Sequence, residues 1–110
     1  MGESSAEVLK GTLDLLVLRT LKRGALHGYG VAQRIEELTE GAFHVQAGSL
    51  FPALYRLERE GYLDATWSDT ENNRRAKYYA LTAAGRRKLG EEMRNWTRVA
   101  DGIARLLEAT

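Results

Sequence analysis

The stretch that decides the fold is Ala47-Gly-Ser-Leu-Phe-Pro-Ala-Leu-Tyr-Arg-Leu-Glu-Arg-Glu-Gly-Tyr-Leu63. Leu50, Leu54 and Leu57 recur at spacings of four and three, so they share one apolar face of a helix. The opposite side carries residues suited to outside contacts, namely Ser49, Pro52, Arg56 and Arg59. A start near Ser49 would put Pro52 in the first helical turn, where proline is tolerated. The stretch therefore predicts a helix with one buried side and one contact side.

A basic hairpin is predicted directly after this helix. Gly61 ends the helix, and residues 63–68 and 77–81 alternate between apolar and polar as strands do. The segment between them, residues 69–76, is a polar loop rich in basic residues. A contact helix followed by a basic hairpin is the arrangement of a winged helix that reads duplex DNA. The predicted fold class is mainly α with a small β-hairpin.

Three further helices are indicated by apolar residues at helical spacing. The first covers residues 6–22 and is apolar on two sides, because Leu15 and Leu18 lie off its main stripe. The second covers residues 29–38 and follows the turn at His27–Gly30. Thr82 is the predicted N-cap of a last helix that runs to about Ala109.

The last helix carries a narrow apolar seam typical of a coiled coil. Its members recur at spacings of 4, 3, 4, 3 and 4: Leu89, Met93, Trp96, Ala100, Ile103 and Leu107. Fewer than three heptads associate weakly alone. Together with the second apolar side of the first helix, provided by Leu15 and Leu18, the seam is predicted to form a homodimer interface.

Composition favours one compact unit. The chain has 110 residues, 44% of them hydrophobic, which suffices for a single core. Within it we assign residues 1–81 to a DNA-binding part and residues 82–110 to a dimerisation helix. The absence of cysteine excludes disulfides and thiolate zinc sites and agrees with a reducing compartment. With no secretion signal in residues 1–7 and no long apolar run, we expect a cytoplasmic protein without a membrane partner.

Charge is distributed unevenly along the chain. The net charge is only +1, but residues 1–73 carry seven Lys/Arg against eleven Asp/Glu, a balance of −4. Residues 74–98 carry eight basic residues against two acidic ones, a balance of +6. The positive charge is thus concentrated on the hairpin and the start of the last helix, as expected for a surface that meets a polyanion.

Five segments of this sequence resemble those of the PadR family of winged-helix transcriptional regulators, particularly its short members. The matching segments are, in order, residues 9–18 (LKGTLDLLVL), 27–30 (HGYG), 48–58 (GSLFPALYRLE), 61–63 (GYL) and 75–82 (RAKYYALT), with Gly85. The resemblance implies that residues 29–38 and 49–60 form the helix-turn-helix, that the hairpin is the wing, and that the last helix pairs with a second subunit. Phe51 stands where many members have an aromatic hydroxyl.

The predicted DNA contacts combine the recognition helix, the wing and one tyrosine of the second helix. They are Tyr29, Ser49, Pro52, Arg56, Asn73, Arg74, Arg75, Lys77 and Tyr79. Arginine donates two hydrogen bonds to phosphate at once, and the start of a recognition helix touches base edges. Two points stay open at this stage. Arg56 could pair with Glu60 one turn later, and either Tyr78 or Tyr79 faces inward because the two alternate across a strand.

The leading functional hypothesis is a homodimeric repressor that binds a near-palindromic operator. Two alternatives remain, a protein-interaction module and a sensor that releases DNA on binding a small aromatic effector. For the second, Trp96 could form a stacking wall instead of an interface anchor. We expect no enzyme, no cofactor and no metal, because the histidines lack ligand partners at helical spacing and no nucleophile motif is present.

Overall fold

Four helices and a small antiparallel sheet form the described part of the chain. The computed structural model describes residues 2–109, and side chains within residues 11–109. The elements are, in order, α1 (Gly2–Thr20), a 3₁₀ turn (Leu21–Arg23), β1 (Leu26–His27), α2 (Gly28–Leu38), α3 (Ala47–Arg59), β2 (Leu63–Asp69), β3 (Arg75–Leu81) and α4 (Ala83–Ala109). The predicted fold class, mainly helical with a β-hairpin, is confirmed.

The sheet has one strand more than the sequence predicted. β2 and β3 form the hairpin, in a register that runs from Leu63 opposite Leu81 to Asp69 opposite Arg75. On the other side of β3 lies the two-residue strand β1, which gives the order β1-β3-β2. Residue His27 ends this strand and also caps α2, because its Nδ1 accepts a hydrogen bond from the Gly30 N–H at 3.0 Å. A pairing of two residues is too short to leave a periodic signal.

The end of α3 and the start of α4 are fixed by hydrogen bonds at one junction. Gly61, with a φ of 86°, closes α3: the N–H of Tyr62 donates to the Leu57 carbonyl at 2.9 Å and that of Gly61 to the Glu58 carbonyl at 3.0 Å. The Thr82 hydroxyl donates to the Gly61 carbonyl at 2.7 Å and accepts from the N–H at position 85 at 2.9 Å. The predicted N-cap at Thr82 is therefore confirmed, and it ties α4 to α3.

The start of α3 differs from the prediction. The helix begins at Ala47, two residues earlier than expected, with Gln46 in an extended conformation before it. Pro52 therefore lies in the second turn, where it provides no N–H for the carbonyl of Gly48. That carbonyl belongs to an exposed residue, so water can satisfy it.

The core lies where α1, α2 and α3 meet the sheet. Its fully buried side chains are Val17, Leu18, Leu21, Val31, Ile35, Leu50, Leu54, Leu57 and Leu63. Two residues predicted for the dimer interface belong to this core instead. Leu18 is 0% exposed and Leu89 is 5% exposed, because the subunit's own helices cover both sides of α1 and the first turns of α4. Leu9, part of the predicted α1 stripe, lies outside the described side chains.

Helix α4 projects beyond this core. Its 27 residues correspond to a rod of about 40 Å at 1.5 Å per residue. The described part of the chain measures 55 × 29 × 24 Å, and residues 101–109 are exposed throughout. None of the helices within residues 2–109 combines the length and apolar character needed to cross a bilayer.

Candidate nucleic-acid interface

One exposed strip runs along the outer side of α3. It consists of Ser49, Pro52, Tyr55 and Arg59, which follow one another at spacings of three, three and four. Such spacings keep side chains on one helical face, opposite the buried leucines. Tyr55 is 60% exposed and was absent from the predicted contacts. Its position three residues after Pro52 was the signal that could have placed it there.

Arg56 does not belong to this strip. Its Nη2 donates to Asp14 Oδ1 of α1 at 2.5 Å and its Nη1 to Glu60 Oε1 at 3.0 Å, and its side chain is only 24% exposed. Burial opposes its charged form, but the hydrogen bonds and charges of the two carboxylates outweigh burial and raise the pKa of Arg56. The guanidinium is thus held within the subunit. The predicted DNA contact through Arg56 is corrected accordingly.

The wing is a tight turn that presents donors outward. The N–H of Thr70 donates to the Arg74 carbonyl at 2.7 Å, and the Thr70 hydroxyl accepts from the N–H groups of Asn72 and Arg74 at 3.3 and 3.2 Å. Asn73 adopts a left-handed φ of 59°, which asparagine tolerates better than most residues. The side chains of residues 71–75 are exposed. The predicted wing residues Asn73, Arg74 and Arg75 therefore face solvent together.

Lys77 joins the wing to α3. Its Nζ donates to Glu58 Oε1 at 2.8 Å and lies 5.9 Å from the centre of the Tyr55 ring and 5.5 Å from that of Tyr79. Arg59 lies 5.8 Å from the centre of the same Tyr55 ring. The hydrogen bond to Glu58, which outweighs the cost of partial burial, raises the pKa of Lys77. Lys77 thus stays charged and in a fixed position.

The two tyrosines of the predicted contact set have opposite environments. Tyr79 is 5% exposed and belongs to the core, and its burial raises its pKa despite the nearby lysine. This placement corrects the predicted DNA contact through Tyr79. Tyr29, by contrast, is 71% exposed at the start of α2, with its ring edge-on to Phe51 at 5.5 Å. Gly28 makes this approach possible, because a Cβ there would overlap the Phe51 ring.

The apolar seam of α4 is buried at the start of the helix and exposed along the rest of it. After the buried Leu89, its side chains emerge from the subunit: Met93, Trp96, Ile103 and Leu107 are 41–70% exposed, and Ala100 is half-buried. Val99 and Leu106 widen this surface and were not predicted. A run of exposed apolar residues of this length is unusual on the surface of a soluble domain.

An apolar cavity of about 300 Å³ lies between α1, α2 and α4. Its lining includes Leu15, Leu16, Leu38, Met93 and Trp96. The predicted interface residue Leu15 is half-buried in its wall. Among the described side chains, those of residues 11–109, no group of three or more histidine, aspartate and glutamate residues could hold a metal ion. The described surface offers an exposed basic wing, an exposed face of α3 and an apolar stripe along α4.

Known proteins resemble this chain in sequence and fold. Residues 17–91 match the transcriptional regulator PadR-like family. A transcriptional regulator of Mycobacterium tuberculosis is 31% identical over 88 residues, which cover 80% of this chain and 78% of that protein. Among solved structures, a PadR family transcriptional regulator from Eggerthella lenta has a TM-score of 0.79 at 32% identity, over 99% of this chain and 93% of the other.

A transcriptional regulator from Clostridium thermocellum has the same fold, with a TM-score of 0.82 at 24% identity over 90% of this chain and 96% of the other. The family match covers more than half of the residues, including the core, α3, the wing and the first turns of α4. This chain belongs to the PadR-like family of winged-helix transcriptional regulators.

Proposed function

We propose that the protein is a repressor that binds a near-palindromic operator as a homodimer in the cytoplasm. The observation that carries this proposal is the juxtaposition of the exposed α3 strip with the exposed wing, linked by the Lys77–Glu58 pair. The α3 strip would enter the major groove, where its N-terminal residues meet base edges. The wing cations would neutralise phosphates beside that groove.

The proposed contacts differ from the predicted DNA contacts in two places along the chain, at α3 and at β3. They are Tyr29, Ser49, Pro52, Tyr55, Arg59, Asn73, Arg74, Arg75 and Lys77. Arg56 and Tyr79 are left out because the subunit's own contacts occupy the first and bury the second. Tyr55 is added because it continues the exposed strip, and Arg59, already predicted on the contact side of the helix, is included for the same reason.

The exposed surface of α4 supports the proposed dimer. Met93, Trp96, Ile103 and Leu107 leave the subunit as an apolar stripe that a second copy can cover. A coiled-coil seam buries such residues between helices. A dimer would carry two recognition helices to half-sites one helical turn apart, or a multiple of it, which is the geometry of a palindromic operator.

The wing is tested by the salt dependence of DNA binding. We expect the double variant Arg74→Ala, Arg75→Ala to reduce the magnitude of the slope of log affinity against log salt by about 1.8 per subunit. Each lost phosphate contact contributes roughly 0.9 to that slope, so the reduction is about 3.6 for a dimer. Lys22→Ala with Arg23→Ala removes the same charge from an exposed turn outside the proposed interface. Equal slopes for the two double variants would contradict the proposed role of the wing.

The dimer is tested by placing a carboxylate on the α4 stripe. Met93→Asp and Ile103→Asp should each yield monomers in sedimentation experiments, because a charge cannot be buried in an apolar seam without a partner. We expect these variants to lose operator affinity although no proposed DNA contact changes. A variant that sediments as a monomer and keeps full operator affinity would contradict the requirement for a dimer.

A response to a small aromatic molecule is a second candidate, favoured by the apolar cavity beside Trp96. The cavity has the size and lining of a ligand pocket at the lower end of the usual range. Trp67→Phe leaves Trp96 as the sole tryptophan, so its fluorescence can be titrated with planar aromatic compounds. An effector must change the affinity of the protein for DNA. Bound DNA must then change the affinity of the protein for the compound by the same factor. A compound that saturates the signal and leaves the affinity for DNA unchanged would contradict its role as an effector, and no signal with any compound would favour a packing role for Trp96.

A further inference from the structure

We propose that a groove between the wing and the starts of α2 and α3 holds the sugar-phosphate backbone of one DNA strand, with Trp67 packed against a deoxyribose. The inference rests on the proposed DNA-binding function and adds a contact that the predicted set did not contain. The side chain of Trp67 is 58% exposed.

The groove has aromatic walls and a cationic rim. It encloses about 310 Å³, and Tyr29 and Phe51 contribute one wall while Trp67 contributes the other. Arg75 and Lys77 lie along the same side of β3 and also line it. In the register of the hairpin, Trp67 stands directly opposite Lys77. Rings and cations therefore face the same space.

The alternation of β2 explains why Trp67 points into this groove. Leu63, Ala65 and Trp67 share one face of the strand, and their exposure rises along it from buried through half-buried to exposed. The face that packs on the core at Leu63 thus runs past the end of the helices at Trp67. An indole at that point is held by the sheet and still accessible from outside.

The chemistry of the groove matches the edge of a duplex. A deoxyribose offers an apolar ring face, and the phosphates on either side of it carry negative charge. An indole covers an apolar surface and can donate its Nε1–H to a phosphate oxygen. The exposed Arg75 can donate two hydrogen bonds to the same phosphate. A partner that lacks alternating apolar and anionic groups would contact either the rings or the cations of the groove, but not both.

The position of the groove agrees with the proposed docking. One side of it is formed by Phe51 of the recognition helix and the other by the wing strands. When α3 enters a major groove and the wing lies over the adjacent backbone, the strand between them must pass through this space. The contact is independent of sequence, since it involves sugar and phosphate only.

The experiment uses the full chain with Trp96→Phe, in which Trp67 is the only tryptophan. The probe is a mixed-sequence duplex of 30 base pairs at low salt, followed by its own anisotropy and by indole fluorescence. We expect the two signals to saturate with the same midpoint. In the otherwise unchanged chain, Trp67→Ala should weaken duplex binding roughly tenfold, the effect of removing about 60 Å² of apolar burial. Trp67→Phe, which keeps an aromatic face, should restore most of it.

The outcomes separate this inference from the proposed function. If the unchanged chain does not bind the duplex, the proposed function fails. If it binds, but Trp67 fluorescence stays constant and Trp67→Ala leaves the affinity unchanged, only this inference fails. A 30-nucleotide single strand that binds more tightly than the duplex and quenches Trp67 more strongly would also overturn it, because the groove would then hold stacked bases.

Discussion

The ion pair between Asp14 of α1 and Arg56 of α3 leads to a quantitative prediction. It joins residues 42 positions apart, and Glu60 accepts the second hydrogen bond of the same guanidinium. If this pair fixes how α3 lies on α1, its removal must lower the free energy of unfolding. Removal must leave the salt dependence of DNA binding unchanged, because a guanidinium engaged by two carboxylates is not neutralising a phosphate.

The magnitude follows from the burial of the two side chains. Arg56 is 24% and Asp14 15% exposed, so the pair lies between exposed pairs, worth about 0.2–1 kcal/mol, and buried ones, whose disruption costs about 3–5 kcal/mol. We expect Arg56→Ala to lower the free energy of unfolding by about 2 kcal/mol, partly because Asp14 is left without its partner. Because the pKa of Arg56 is raised, its contribution to stability is complete below the ordinary pKa of arginine and is lost only at higher pH.

The assay is a double-mutant cycle in urea at a fixed protomer concentration, with Asp14→Ala, Arg56→Ala and the combination. A matched control is the cycle for Arg34 and Glu37 of α2, an ion pair at 3.6 Å whose side chains are 43% and 59% exposed. We expect a coupling of about 1 kcal/mol for the first pair and at most about 0.5 kcal/mol for the control. Equal couplings, or a reduced salt slope for Arg56→Ala, would refute the assignment of Arg56 to the subunit interior.

Two further predictions concern stability. Gly85→Ala should destabilise the folded protein by about 2–3 kcal/mol, because the new Cβ would overlap the Tyr62 carbonyl. Gly102→Ala places its Cβ in open space and should stabilise the protein by up to about 1 kcal/mol. Thermal unfolding of both variants at one protein concentration measures the difference. A hydrogen bond to Glu58 raises the pKa of Lys77 and burial raises that of Tyr79, so both stabilise in the protonated form. In urea titrations stability should thus be constant from about pH 7 to 9 and fall above about pH 10, less steeply in Tyr79→Phe. A flat profile to pH 12 would contradict this.

The sequence predicted the helices and the hairpin because their signals are local. Leucines at spacings of three and four define the buried side of α3, and Gly61 and Thr82 mark its end and the start of α4. The hairpin was predicted for the same reason, although its strands, Leu63–Asp69 and Arg75–Leu81, are longer than the predicted 63–68 and 77–81. Local periodicity does not record which element lies beside a segment. The two-residue strand β1 is defined only by its pairing with β3, so the sequence pattern did not predict it.

The predicted site was least accurate where side chains meet across the fold. Arginine is a residue type expected at a DNA contact, but the side chain of Arg56 is held by Asp14, which is 42 positions away in the sequence. Leu18 lies off the main stripe of α1, yet other elements of the same subunit cover that side. Trp67 was not among the predicted DNA contacts. Its exposure depends on how far the sheet extends beyond the helices, which no pattern within β2 records.

The central claim, that two copies together read one operator, is tested most directly by hydroxyl-radical footprinting. The template is a genomic fragment that the unchanged protein selects from a library of sheared DNA. The proposal predicts two protected patches related by near two-fold symmetry, with centres one helical turn apart, about 34 Å, or a whole multiple of it. A single protected patch, or no protection at concentrations where the fragment is bound, would contradict it.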